Sequence, residues 1–97
     1  MANVVLINVF EVPEDKDEEF LAVWEQGKAI LEWQPGYVST ALHRSLDPTA
    51  RFRYINMAVW ESAEAFSAAV NNPEFVAYRD AFQPFHPRPS LYEVIRR

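Results

Sequence analysis

The stretch RFRYINMAVW, residues 51–60, decides the fold. Its aromatic and β-branched residues predict a strand. Side chains alternate across a strand, so Arg53, Ile55, Met57 and Val59 share one face, and Phe52, Tyr54, Asn56, Ala58 and Trp60 share the other. Neither set reads as solvent-facing. The run VVLINVFEV, residues 4–12, behaves alike: Val5, Ile7 and Val9 oppose Val4, Leu6, Asn8 and Phe10, until Pro13 ends the ladder. A sheet that is apolar on both sides needs two covers.

Working outward, the spacing of Phe20, Val23, Trp24, Gly27, Ile30 and Leu31 predicts a helix with one apolar stripe, ending before Pro35-Gly36. Asp15 and Glu18 form a capping-box-like pair at its start, and the acidic run from Glu11 to Glu19 reads as a solvated helix start. Tyr37 to Ser45 is a second strand, joined to the third through a turn at Asp47-Pro48-Thr49. Ser62 is an N-cap for a helix over Ala63 to Val70, and Asn72-Pro73-Glu74 restarts a helix through about Phe82. Gln83 to Ser90, with three prolines, reads as a loop, and Leu91 to Ile95 as a closing strand.

The order is βαββαβ with its second helix broken: an α+β, ferredoxin-like antiparallel sheet with helices on one face. Those helices cover one face only, so the other is expected to close against a second copy, giving a homodimer packed sheet to sheet as an α/β barrel.

Composition bounds the rest. The 97 residues, 49% of them hydrophobic, predict a single domain over residues 1–97. Nine Lys and Arg against fourteen Asp and Glu give a net charge of −5, which repels nucleic acid and anionic membranes. There is no cysteine, hence no disulfide framework, thiolate metal site or thiol nucleophile. The apolar runs are too short to span a bilayer, and Met1-Ala2-Asn3 opens no signal peptide, so a cytoplasmic location is expected.

Few residues can carry chemistry. His43 and His86 fall in different kinds of element and suggest no metal site. With Gly27 and Gly36 alone there is no phosphate loop, and no serine sits in a nucleophile elbow. Polar groups on apolar strand faces stand out: Asn8, Asn56 and His43. The asparagines either bond each other or a loop and fix register, or they line a pocket for a flat aromatic molecule, walled by Phe52, Tyr54, Trp60, Phe66, Phe75, Tyr78 and Phe82. Arg79 is open to an ion pair with Glu74 or Asp80, His43 to a role as base, and His86 to one as lid.

Val5 to Pro13, Gln34-Pro35-Gly36-Tyr37 and, most specifically, the segment NMAVWESAEAF at residues 56–66 resemble the antibiotic biosynthesis monooxygenase family. The resemblance implies a dimeric ferredoxin-like protein. It is strongest to the cofactor-independent branch, which oxidises phenolic polycyclic aromatics to quinones with dioxygen and no metal or flavin. It implies Asn56, Trp60 and Arg79 as catalytic residues, the arginine after a one-residue slip before Pro73. Phe66 stands where that branch has a pocket tyrosine, a donor that Tyr54 or Tyr78 would have to replace; with Asn8, His43 and Phe82, read from their residue types, these make the expected substrate-binding set. In the haem-degrading branch the iron-ligating histidine falls on Tyr78 and a porphyrin-buckling tryptophan on Ala69, which argues against haem, although tyrosine can ligate iron. The alternative from another class is a protein that binds haem or another planar ligand without turning it over.

Overall fold

The computed structural model describes residues 3–97; Met1 and Ala2, on which the reading of the chain start partly rests, lie outside the described residues. Four strands, β1 (Val4–Phe10), β2 (Tyr37–Arg44), β3 (Tyr54–Trp60) and β4 (Arg88–Tyr92), form one antiparallel sheet in the order β2-β3-β1-β4. Helices α1 (Asp17–Leu31), α2 (Ala63–Val70) and α3 (Pro73–Tyr78) complete the expected α+β, ferredoxin-like arrangement.

The register explains the faces. Opposed residues of antiparallel strands point to the same side. Leu6 opposes Ala58, Asn8 opposes Asn56 and Phe10 opposes Tyr54, and these form the face under the helices. Ile7 opposes Met57, Val9 opposes Ile55, and Ala41 and His43 oppose Met57 and Ile55 on the outer face. Met57 and Tyr92 on that face are exposed in the protomer.

Local chemistry sets the element ends. Ser62 Oγ accepts from Ala65 N–H at 3.0 Å, the cap read from the sequence, and Asn72 Oδ1 accepts from Phe75 N–H at 3.1 Å where the helix restarts. The turn at Asp47 also forms, its carboxylate accepting from Thr49 N–H at 2.9 Å.

Three boundaries differ from expectation. Asp15 caps nothing: a 3-10 turn over Glu14–Lys16 occupies its place, α1 begins without a side-chain cap, and Asp17 pairs instead with Arg53 through contacts of 2.7 and 3.1 Å. The helix restarted at Pro73 ends at Tyr78 and tightens into a 3-10 segment over Arg79–Phe85, which contains Pro84, whose ring would clash with the Asp80 carbonyl in an α-helical turn. The closing strand covers residues 88–92 rather than 91–95. Tyr92 already opposes Val5, so the chain reaches the end of β1 there, and Pro89 is tolerated because β4 is an edge.

Candidate active site

The apolar layer under the helices is split. Phe10, Val12, Phe20, Tyr54 and Phe85 form one buried cluster, and Leu6, Ala58, Trp60 and Ala69 form another. On β1, Asn8 lies between Leu6 and Phe10; on β3, Asn56 lies between Tyr54 and Ala58. The opposed asparagines therefore stand where one cluster gives way to the other. A cavity of about 390 Å³ opens at this place, within the roughly 300–1,000 Å³ usual for small-molecule sites. Leu6, Phe10, Leu31, Ala58, Trp60, Phe66, Val70, Phe75 and Phe82 give it apolar walls; Asn8, Asn56, Thr40, Lys28, Arg79 and Gln83 supply the polar groups.

Those polar groups are oriented. Trp24 Nε1 lies 3.2 Å from Asn56 Oδ1 and Thr40 Oγ1 lies 2.9 Å from the same atom. An indole N–H only donates, so the atom it meets is the amide oxygen, and the threonine hydroxyl donates to it as well. Asn8 Oδ1 accepts from the backbone N–H of Arg88 at 2.9 Å. Both oxygens are taken, and both amide nitrogens make no hydrogen bond among the described residues. Trp60 is 1% exposed, and its Nε1–H, like the Tyr54 hydroxyl in the neighbouring cluster, is buried with no partner among the described residues. A buried donor left without an acceptor is costly. Arg79, an exposed residue at the cavity, forms no ion pair among the described residues, whereas Lys28 is paired with Glu32 at 2.9 Å. The Asn8 and Asn56 amides and the Arg79 guanidinium offer hydrogen-bond donors to whatever occupies the cavity. Among the described residues that line it there is no carboxylate and no imidazole.

Of the residues read from the sequence, Asn8, Asn56, Trp60, Phe66, Phe75, Arg79 and Phe82 meet on this one cavity. The expected alternatives for Asn8 and Asn56 are partly combined: each bonds a neighbouring element rather than the other asparagine, and each also lines the cavity. Four expectations need correcting. His43 opposes Ile55 on the outer face and sits 3.3 Å from the Ile55 carbonyl, because a strand position one residue from Leu42 faces the other side of the sheet. Tyr54 shares the inner face but is buried among Phe10 and Phe20, its ring 4.7 Å from that of Phe20, so it is core rather than cavity wall. Tyr78 does not line the cavity: its hydroxyl donates to the Val23 carbonyl at 2.9 Å, and burial pushes its pKa up. Phe52 lies under the guanidinium of Arg51 at 4.9 Å, away from the cavity. Arg79 pairs with neither Glu74 nor Asp80 among the described residues. The Tyr78 hydroxyl, engaged with a carbonyl and disfavoured as a phenolate, does not fit the part of an iron ligand.

Trp24, Thr40, Gly27 and Gln83 also line the cavity and were not foreseen as site residues. Trp24 carried a signal: a tryptophan on a helix stripe needs a partner for its N–H once buried. Gly27 brings α1 close to the 3-10 segment, since a Cβ there would lie 2.8 Å from Phe82 Cζ. The approach of Thr40 depends on register, which periodicity alone does not give.

A helix-covered antiparallel sheet with an apolar cavity beneath the helices defines a ferredoxin-like domain with a site of small-molecule size. Residues 3–81 match the antibiotic biosynthesis monooxygenase family, and the chain belongs to it. It is 32% identical over 80 residues to deoxynogalonate monooxygenase of Streptomyces nogalater, a match spanning 82% of this chain and 65% of that protein. Among solved structures it resembles a proposed monooxygenase from Shewanella loihica PV-4, at 40% identity and a TM-score of 0.84 over 99% of this chain and 97% of the other. It also resembles SnoaB, a cofactor-independent oxygenase from Streptomyces nogalater, at 27% identity and a TM-score of 0.84 over 100% and 97% of the two chains. Among the described residues no helix is long and apolar enough to cross a membrane.

Proposed function

We propose that the protein is a cofactor-independent monooxygenase that oxidises a hydroxylated polycyclic aromatic, a phenol or anthrone, to a quinone with dioxygen. The cavity carries this reading: an apolar space of about 390 Å³ walled by Phe66, Phe75 and Phe82, on which Asn8, Asn56 and Arg79 present polar groups. The likeness to SnoaB and to deoxynogalonate monooxygenase supports the reaction type.

The chemistry follows from the donor set. An anthrone loses its methylene proton to give an enolate; one electron passes to dioxygen; the radicals recombine as a peroxide, and loss of water leaves the new carbonyl. Negative charge gathers on oxygen at each stage. Asn56, Trp60 and Arg79 stabilise that charge by fixed donors, while Phe66, Phe75 and Phe82 hold the ring system and keep water away. Asn8 and Phe82 complete the substrate-binding set, with Phe66 as an apolar wall. With no carboxylate or imidazole among the described lining residues, deprotonation depends on lowering the substrate's own pKa, which suits carbon acids that are already acidic. The location proposed for this activity is the cytoplasm.

The partner proposed for the outer face is a second copy. Ile7, Ile55, Met57 and Val59 present an apolar surface with no cover in the protomer. Oxygen uptake by metal-free protein on anthrones, dihydroxynaphthalenes and hydroquinones, corrected for spontaneous autoxidation, tests the activity. Protein-dependent uptake that Trp60→Phe abolishes is the expected result. No uptake with any of these compounds, together with tight equimolar binding of a planar ligand, would replace oxygenation by a carrier role.

A further inference from the structure

We infer that Trp24 and Thr40 are positioning residues that set the polarity of the site by fixing which end of the Asn56 amide faces the cavity. The inference deepens the proposed function and rests on it.

An asparagine side chain offers an acceptor at one end and two donors at the other, and its two orientations differ little in shape. Which end meets a ligand is therefore decided by neighbours. Here two donors from different elements converge on one oxygen: Trp24 Nε1–H from α1 at 3.2 Å and Thr40 Oγ1–H from β2 at 2.9 Å. The tryptophan cannot accept, so the reverse orientation would set its N–H against an amide N–H. The threonine has one hydroxyl proton, and its other acceptor, the Met57 carbonyl, is farther away at 3.4 Å. Both contacts hold Oδ1 away from the ligand and leave the Asn56 NH₂ group unpaired beside the cavity. Without them the amide is free to turn its oxygen toward a substrate enolate, where it repels the charge it should stabilise.

Double-mutant cycles with Asn56 test this. The probe is 1,8-dihydroxyanthraquinone, a stable carbonyl-bearing planar molecule, and its binding is followed by titration calorimetry; anthrone oxidation supplies kcat and KM. Thr40→Val retains shape and removes one donor; Trp24→Phe removes the other and also trims the ring, a packing loss that the cycle with Asn56 subtracts. Each is expected to weaken probe binding and lower kcat about 3–10-fold, the value of one hydrogen bond. In an Asn56→Ala background the same changes are expected to do almost nothing, because their effect passes through that amide. Thr40→Ser, which keeps the hydroxyl, is expected to restore binding. Equal losses with and without Asn56 would overturn the inference, since the two residues would then act on the ligand or the fold directly. So would unchanged binding in Trp24→Phe and Thr40→Val while Asn56→Ala weakens it, an outcome that leaves the proposed function standing. Unchanged binding and turnover in Asn56→Ala would overturn the inference by removing Asn56 from the site, whereas the absence of any anthrone oxidation by the unaltered protein would overturn the proposed function.

Discussion

Replacing Trp60 by Phe separates packing from function, because the two readings of this residue predict opposite asymmetries. Trp60 is 1% exposed, and its ring meets Tyr37 and Phe66 edge-on at 5.5 and 5.7 Å. Trimming an indole to a phenyl ring loses part of this packing, at a cost of about 1–2 kcal/mol for a partial core truncation. The same change removes a buried N–H that has no partner, and an unsatisfied buried donor costs about 1–3 kcal/mol. The two nearly cancel, so the net change is within about 1 kcal/mol, or less than about 8 °C in Tm for a chain of this size. Catalysis has no such cancellation. A donor to a developing oxyanion is worth about 1.5–3 kcal/mol, which lowers turnover about 10–150-fold. The assay pairs a calorimetric melt with oxygen uptake on an anthrone. A fall in Tm well beyond 8 °C, with uptake per folded protein unchanged, would refute the reasoning and make the indole a packing element only.

Four further outcomes are expected. Arg79→Ala should lower turnover by roughly tenfold or more through loss of a charge-assisted contact, yet shift Tm little, because an exposed residue without an ion pair holds up little structure; the melt and the uptake assay together check it. Phe20→Leu, at a position with 0% exposure and outside the cavity lining, should destabilise by about 1–3 kcal/mol and leave probe affinity unchanged below the melt, read by denaturant titration and calorimetry. Met57→Lys on the outer face should shift sedimentation toward the monomer; an unchanged distribution would remove that face as the interface. Asp17→Asn should flatten the acid limb of stability. The hydrogen bonds from Arg53 hold the Asp17 carboxyl below its ordinary 3.8, so its contribution is present above about that pH and is lost as pH falls through the depressed folded-state value. Urea midpoints measured from pH 6 to pH 2 should fall less steeply in the variant.

Much of the architecture was legible because its signals are local. Ser62 reads as a cap and does cap a helix through its own side chain, and the helix restart read at Asn72-Pro73-Glu74 falls where α3 begins. Strand alternation put Asn56 and Trp60 on one face, which is where they lie. Asp15 misled because a cap pattern is shared by any acidic turn, and the Asp17 carboxylate has a distant arginine to satisfy instead. β4 was displaced because its limits are set by where β1 ends, a fact about another segment. His43 and Tyr54 were drawn into the pocket by residue type. One belongs to the opposite side of the sheet, and the other lies too far along β3, past Asn56. Trp24 reads from sequence as one residue of an apolar stripe, since nothing near it identifies an acceptor contributed by a strand 32 residues away.

The division of the core by the two asparagines has a consequence for how this chain holds together. Most small domains have one apolar interior whose parts stabilise one another; here the two halves are tied by the sheet backbone but have a void between them. A planar guest filling that space touches Phe10 on one side and Leu6 and Trp60 on the other, and so serves as the missing keystone. Saturating ligand should then raise the melting temperature and also sharpen the transition, as two loosely connected cooperative units become one.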